Sequence, residues 1–493
     1  MPEQCIAGAP TGTTASAYSK EGSTVRECPN ILLFTTDQHR GDHLGLAGHP
    51  VVETPNLDAL IHRGAYFPNA YTEIPSTTGA RRCLLAGQGS YACGLVGYSG
   101  TEWHERNTLA QVLADAGYHC INVGFRNLHP RRKLYGFHTV IPHDLTEGVD
   151  DYAEWLHREA GPDAFERGHG ADANGWLGRP WHLEERLHAT NWTTDVTIQQ
   201  IVKRDPTRPF FVWCSHLRPH SPYDPPQFFW DMYINRQFPE IPVGEWAGKH
   251  DVAGPPERAA WRGRLSPQRN QRMRAAYAGL ITHIDYEFGR MLEVLQRGGR
   301  SLDNTLIIFT SDHGDMMGDH NLHRKTYAYE GSARIPFVIR YPAGLELPTG
   351  VFENVVGLQD VMPTILEAAG VPIPDSVTGM SVLGAIRGGP WREFLHGEHS
   401  PCYAIEEAMH YLTDGREKYI WFPATNDEQF FDLRKDRGEL RDLAQEDTHR
   451  DRVAHWRRRL VEVLAQRGDG FSDGERLIPR AEWWPPEVES GRK

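Results

Sequence analysis

Four short apolar runs constrain the fold of this chain more than anything else in it: NILLFTTDQ from residue 30, CINVGF from 120, PFFVWCSH from 209 and TLIIFTSDHG from 305. Each is too short for a buried helix and lacks the in–out alternation of a strand with one wet face. Strands buried on both faces look like this. Between them, LDALIHRGAYF and TLAQVLADAGYHC read as amphipathic helices ending at glycine, and RMRAAYAGLITHIDYEFGRMLEVLQRGG reads as a long helix before the last run. Strands alternating with helices predict an α/β fold, a mainly parallel central sheet flanked by helices. Ligands of such sheets bind beyond the carboxyl ends of the strands. Asp37, His216 and Asp312 fall at such ends, so the three are expected to approach one another.

The later region changes character. YLTDGREKYIWFPATNDEQFF predicts two aromatic-rich strands around a turn, followed by a helix near 449–466. The expected organisation is an arm over 1–28, a main domain over 29–390, a small α+β subdomain over 391–470 and a tail over 471–493. The tail's tryptophan pair, too poor in company to form a core, implies contact with another surface such as a second subunit of a homo-oligomer. Acidic residues outnumber Lys and Arg by 65 to 52, a formal charge of −13 that argues against nucleic acid as a partner. The N-terminus has no basic flank before an apolar run, and no stretch of about 18 apolar residues occurs, so a cytoplasmic chain without a membrane partner is expected. Seven cysteines with no CxxC pair give neither a disulfide framework nor a structural zinc signature.

Chemistry enters at the strand ends. Asp37 and Gln38 follow the first run, and Asp312 and His313 the last. Carboxylates, an amide oxygen and an imidazole make a mixed oxygen–nitrogen site for a divalent cation. One such pair could equally cap a turn; two at equivalent strand ends weigh towards a metal. The stretch IPSTTGARRCLLAG then presents hydroxyls at the start of a helix, where backbone donors and the helix dipole suit an anion. Thr77 precedes Arg81 by one turn, and a guanidinium pairs with an oxyanion in bidentate fashion. The hydroxyl can be a nucleophile or merely a helix cap, and Ser76 and Thr78 stand beside it.

These segments resemble the sulfatase branch of the alkaline phosphatase superfamily, and within it the phosphonate monoester hydrolase and phosphodiesterase group. The family pattern, Cys or Ser followed by x-P-x-R and an apolar helix, is similar to TTGARRCLLAG; DQHRGDHLG, PNLDAL, LRPHSPY, TLIIFTSDHGDMMGDH and RIPFVIRYP are the other shared segments. The resemblance implies Asp37, Gln38, Asp312 and His313 as ligands of one divalent ion, manganese favoured with zinc or calcium as alternatives. It implies Thr77 as a nucleophile touching that ion, Arg81 as its support, His220 near the leaving-group oxygen and Lys325 on the non-bridging oxygens. GFRNLHP matches a family segment loosely, which offers Arg126, Asn127 and His129 as substrate contacts.

Two departures bear on the reaction. The cysteine that many members convert to formylglycine is Thr77, and the usual proline two residues on is Gly79; Cys83, beyond Arg81, does not stand in for it. A formylglycine hydrate expels sulfate by using its second hydroxyl, which threonine lacks. A phosphothreonine that water attacks at phosphorus is more tractable. The expected activity is hydrolysis of small anionic phosphodiesters or phosphonate monoesters. Sulfate ester hydrolysis is the alternative, and a non-catalytic relative or a two-metal phosphatase-type site is a lesser one.

Overall fold

In the computed structural model, which describes residues 28–146, 148–252, 260–297 and 302–481, ten strands build the main domain. They are β1 (Asn30–Asp37), β2 (Gly64–Tyr66), β3 (Ala70–Tyr71), β4 (His119–Gly124), β5 (Thr139–Pro142), β6 (Phe210–Pro219), β7 (Thr305–Ser311), β8 (Phe337–Arg340), β9 (Gly350–Val351) and β10 (Val356–Gly357). Eight form one sheet in the order β5-β4-β6-β1-β7-β8-β2-β9, while β3 and β10 pair separately. From β5 to β7 every neighbour is parallel; β8 runs antiparallel to both β7 and β2.

The continuous apolar runs have a plain cause. Side chains alternate across a strand, and here both faces are covered. Ile31, Leu33, Phe211, Trp213, Leu306 and Ile308 enter one core, and Leu32, Phe34, Val212, Cys214, Ile307 and Phe309 enter the other. Burying each large apolar side chain contributes roughly 1.5–3 kcal/mol. The long helix spans Pro267–Gln296, with Ser266 accepting from the Arg269 N–H as its cap. LDALIHRGAYF is shorter in helix than its periodicity suggests: Pro55–Asp58 is a single α turn, Ala59–Arg63 is 3₁₀, and the chain then enters β2. Asp285 of the long helix accepts from the Asn56 and Leu57 N–H groups, which anchors the first turn.

His216 does not reach the strand-end site. β6 continues to Pro219, so His216 is a strand residue, its ring 5.0 Å from that of Phe34, and burial holds it neutral with a pKa of about 3.

The C-terminal region forms a four-stranded antiparallel sheet, β11 (Leu395–His399), β12 (Met409–Thr413), β13 (Glu417–Phe422) and β14 (Asp427–Asp432), with the helix Arg450–Ala465 on one face. Trp421 and Phe430 meet Trp456 and Leu460 of that helix, whereas Ile420 and Phe431 meet Tyr71, Tyr327 and Tyr329 of the main domain. Lys418, fully buried, ion-pairs with Glu330 and Glu439 at 2.8 Å each. The start of the tail lies on its own sheet, with Phe471 in that core. The expected arm over 1–28 (save Cys28) and the tryptophan pair at 483–484 lie outside the described residues. No helix among the described residues is long and apolar enough to cross a membrane.

The segment between β5 and the helix Ala189–Lys203 is tied to the turn after β6 by charge. Arg218 makes two hydrogen bonds to Asp224 (2.8 and 3.0 Å) and an ion pair to Glu166 (2.8 Å), and Glu166 meets His143 at 3.2 Å. Burial acts to raise Glu166, but His143 and Arg218 outweigh it and hold its carboxyl at about 2. Against an unfolded value of about 4.3, the native state binds fewer protons, so the stabilisation is complete above about pH 5 and is lost as pH falls towards 2. Glu166→Gln is therefore expected to lose about 3 kcal/mol at pH 7 in urea unfolding. The gap from wild type should shrink at pH 3; a gap independent of pH would contradict the assignment.

Candidate active site

The helix Thr77–Ala86 starts directly above the carboxyl ends of β1 and β7 and is buried along its whole length. Ser76 is its N-cap residue, in extended backbone, and Gly87 closes it with φ 64°. The three neighbouring hydroxyls therefore face different ways. Thr77 Oγ1 lies 3.3 Å from Asp37 Oδ2 and 3.2 Å from His313 Nε2. Thr78 Oγ1 accepts from the Asn127 amide at 3.2 Å. Of the three, Thr77 faces the acidic residues.

Gly79 explains its own departure from the family's proline. A Cβ there would meet Ile74 Cδ1 at 2.8 Å, Ile74 Cγ2 at 2.9 Å and the Leu95 carbonyl at 3.1 Å. The helix start is packed too closely for a larger residue. Cys83 points away from the site, its Sγ 3.5 Å from Cys93 Sγ.

Asp37, Asp312 and His313 each bring a ligand atom within 4.8 Å of the others. His313 Nδ1 bonds the Gly314 carbonyl at 2.9 Å, which puts its proton there and leaves the Nε2 lone pair facing the carboxylates. Burial keeps that ring neutral, with a pKa of about 3. Asp37 Oδ1, fully buried, receives no hydrogen bond among the described residues. Burial, and next the charge of Asp312, pushes the Asp37 carboxyl up, while His313 and Arg81 outweigh burial at Asp312 and hold it down. An acceptor without a donor, a second carboxylate and an imidazole lone pair at one point form a donor set that fits a divalent cation. The oxygen of Gln38, the fourth expected ligand, accepts from Lys325 Nζ at 3.1 Å.

Arg81 has a different employment from the one its position suggested. Its Nε donates to Asp312 (3.0 Å), Nη2 to Asp37 (3.3 Å), and Nη1 to Ser215 Oγ (2.8 Å) and the Phe125 carbonyl. All three nitrogens are engaged with protein. It clamps the two carboxylates rather than offering a free fork to an oxyanion.

His220 also differs from expectation. A lone histidine near a leaving-group oxygen would act as an acid by being cationic near neutral pH. Burial, then the neighbouring charge of Lys325, hold it well below the usual histidine range. Its Nδ1 bonds the Ser221 carbonyl at 2.8 Å, and Lys325 Nζ lies 2.7 Å from Nε2, so the ammonium donates to a neutral ring. Lysine and histidine are thus joined by one hydrogen bond.

A cavity of about 250 Å³ opens beside Thr77, lined by Asn127, Arg131, His220, Lys325 and Tyr403. Of the three residues offered as substrate contacts, only Asn127 lines it, with Phe125 of the same segment beside it. Arg126 is turned under the Tyr135 ring, 5.5 Å away, and donates to the Arg131 carbonyl, and His129 does not line the cavity. Tyr98 also contributes to the wall, and Asp144, Leu145, Ala173, Asn174 and Cys402 complete the rim. Asp315 and Ser215, which support Gln38 and Arg81, were missed; Asp315 lies within the quoted SDHGD run and was legible there.

A second group, His396, Glu398 and His410, has comparable spacing. There Arg467 bonds both Glu398 oxygens (2.7 and 2.8 Å), so the carboxylate is already neutralised by an internal cation.

This arrangement, a hydroxyl at a helix start above two clamped carboxylates and an imidazole, suits ester hydrolysis at a site whose donors fit a divalent cation. Residues 29–371 match the family profile "Sulfatase", and residues 318–466 match "N-sulphoglucosamine sulphohydrolase, C-terminal". The chain belongs to the sulfatase family of the alkaline phosphatase superfamily and is a hydrolase of ester bonds. It is 41% identical to an arylsulfatase of Clostridium perfringens over 91% of this chain and 97% of that one. It is 30% identical to the multifunctional alkaline phosphatase superfamily protein PehA of Trinickia caryophylli, over 84% and 91%. The crystal structure of the phosphonate monoester hydrolase of Agrobacterium radiobacter superposes with a TM-score of 0.75 at 26% identity, covering 89% of this chain and 96% of that one.

Metal content follows from the donor set. Elemental analysis of protein purified without chelator is expected to give one divalent ion per chain, lost in Asp312→Asn and kept in Thr77→Ala. Two ions per chain, or retention in Asp312→Asn, would contradict a single site on these residues.

Proposed function

We propose that the protein hydrolyses small anionic phosphodiesters or phosphonate monoesters through a covalent intermediate on Thr77. The observation that carries this reading is the unmodified Thr77 hydroxyl, 3.3 Å from Asp37 and 3.2 Å from His313. A divalent ion held by Asp37, Asp312 and His313, with Gln38 beside them, would supply positive charge that acidifies this hydroxyl and steadies the ester oxygens; manganese suits the mixed oxygen–nitrogen set. Thr77 Oγ gives its proton to Asp37 and forms a bond to phosphorus, while the bond from phosphorus to the leaving oxygen breaks. That oxygen takes a proton from the Lys325–His220 pair. Water then attacks phosphorus, giving up a proton to the Lys325–His220 pair, and the bond to Thr77 Oγ breaks as Asp37 returns its proton to that oxygen and restores the hydroxyl. Phosphorus suits this two-step exchange because each step is the same displacement.

A second reading, sulfate ester hydrolysis, is favoured by the 41% identity to an arylsulfatase. The same attack would leave a sulfothreonine, and threonine has no second hydroxyl on that carbon to expel the sulfate.

Matched nitrophenyl phosphodiester, phosphonate and sulfate esters separate the two. The metal-loaded protein is expected to prefer the phosphorus esters in kcat/KM, and Thr77→Ala to lose about 10²-fold or more on them. Preference for the sulfate, or near-wild-type rates in Thr77→Ala, would reject the reading.

His220→Ala is expected to discriminate by leaving group. Alkyl esters, whose departing alkoxide needs a proton, should lose about 10²-fold or more, and nitrophenyl esters far less. Equal losses would assign His220 to binding the substrate instead.

A further inference from the structure

Asp315 lies three residues beyond Asp312 and does not line the cavity, yet four contacts to its carboxylate govern what does. Oδ2 accepts from the Gln38 side-chain amide and from the Tyr223 hydroxyl. Oδ1 accepts from the backbone N–H of Met317 at 3.0 Å and of Arg324 at 3.1 Å. The second of these fixes the residue just before Lys325.

The consequence for Gln38 is directional. An amide side chain has a donating and an accepting face, and a carboxylate only accepts. With its NH₂ turned to Asp315, Gln38 must present its oxygen on the other side, where Lys325 Nζ donates to it at 3.1 Å. The opposite orientation would set NH₂ against an ammonium. So anchored, Lys325 gives another hydrogen to His220 Nε2 at 2.7 Å, while His220 Nδ1 is held on the Ser221 carbonyl at 2.8 Å. Tyr223 follows His220 by three residues in the same turn, and its hydroxyl returns to Asp315. The contacts close into a ring through Asp315, Gln38, Lys325, His220 and Tyr223, and no member is more than 8% exposed. In a site this dry each donor is committed, and reversing one dipole disturbs its neighbours.

We infer that Asp315 and Tyr223 are positioning residues, which aim the Lys325–His220 pair at the leaving-group oxygen by fixing the orientation of Gln38 and the turn that carries His220. This rests on the assignment of that pair as the leaving-group acid.

Two variants test it. Tyr223→Phe removes a single oxygen and retains the ring, whose edge contact with Tyr277 (centroids 5.8 Å apart) needs no hydroxyl. Asp315→Asn replaces an acceptor with a donor where two donors converge. Each is assayed beside His220→Ala on an alkyl and a nitrophenyl ester of whichever acid, phosphoric, phosphonic or sulfuric, the wild type hydrolyses. Both variants are expected to lose at least about tenfold more kcat on the alkyl ester than on the nitrophenyl ester. KM should change little, and Tyr223→Phe should retain wild-type metal content and Tm. Leaving-group dependence in His220→Ala without it in Tyr223→Phe overturns the positioning role alone. Its absence from His220→Ala itself overturns the acid assignment and the positioning role with it. Should Asp315→Asn fail to fold, Tyr223→Phe decides.

Discussion

Two carboxylates forced together in a dry place set the terms for the rest of this site. Asp37 and Asp312 end adjacent parallel strands, where Thr36 pairs in register with Ser311, so the sheet itself brings them side by side. At a separation of no more than 4.8 Å and an effective dielectric of about 20, two such charges would repel by roughly 3.5 kcal/mol or more. That is a large share of the 5–15 kcal/mol by which a domain is usually stable. The molecule answers with cations. Arg81 bonds both carboxylates from the helix above, Lys325 stands beside them, and the donor set fits a divalent ion between them. The neutral state of His313 belongs to the same balance, since it leaves a lone pair where a charge would otherwise compete.

This constraint also explains why a threonine can stand where family relatives carry a modified cysteine. The clamp of Arg81 on the carboxylates and the close packing at Gly79 together fix the helix start, so the first side chain of the helix faces the acidic groups whatever its identity. What changes with identity is the second half of the reaction. A hydroxyl on a β-branched carbon can accept a phosphoryl group and return it to water, but it has no neighbouring hydroxyl with which to expel sulfate. The relatives span both chemistries, an arylsulfatase by sequence and a phosphonate monoester hydrolase by structure, and the proposal of phosphorus esters for this chain rests on the threonine at position 77.

The fold was legible where periodicity and burial agree. The four apolar runs are strands, the long helix begins five residues earlier than its pattern, and the acidic pairs meet because strand ends in a parallel sheet must. Misreadings share a cause, in that long-range contacts override local pattern. His216 looked like a strand end because the apolar run stops there, yet β6 runs on to Pro219. β11 and β12, with sequences LHGEH and MHYLT, carry too many polar side chains to announce strands, and they form because Glu398 and His410 are satisfied by Arg467 and one another. Arg81 reaches both carboxylates together with Ser215 and Phe125, and nothing local in the sequence reveals the last two contacts. The cavity walls at 144–145, 173–174 and 402–403 depend on how whole segments dock, through pairs such as Glu166 with Arg218, and no motif encodes that.

The central claim is that Thr77 itself carries the phosphoryl group. Metal-loaded protein mixed with a phosphodiester labelled at phosphorus, quenched in acid during turnover and digested, should yield label on the one peptide that contains Thr77. The label should be absent from Thr77→Ala treated in the same way. Turnover of the wild type with no covalent label, or label retained in Thr77→Ala, would contradict a threonine nucleophile and leave attack to a bound water or a neighbouring hydroxyl.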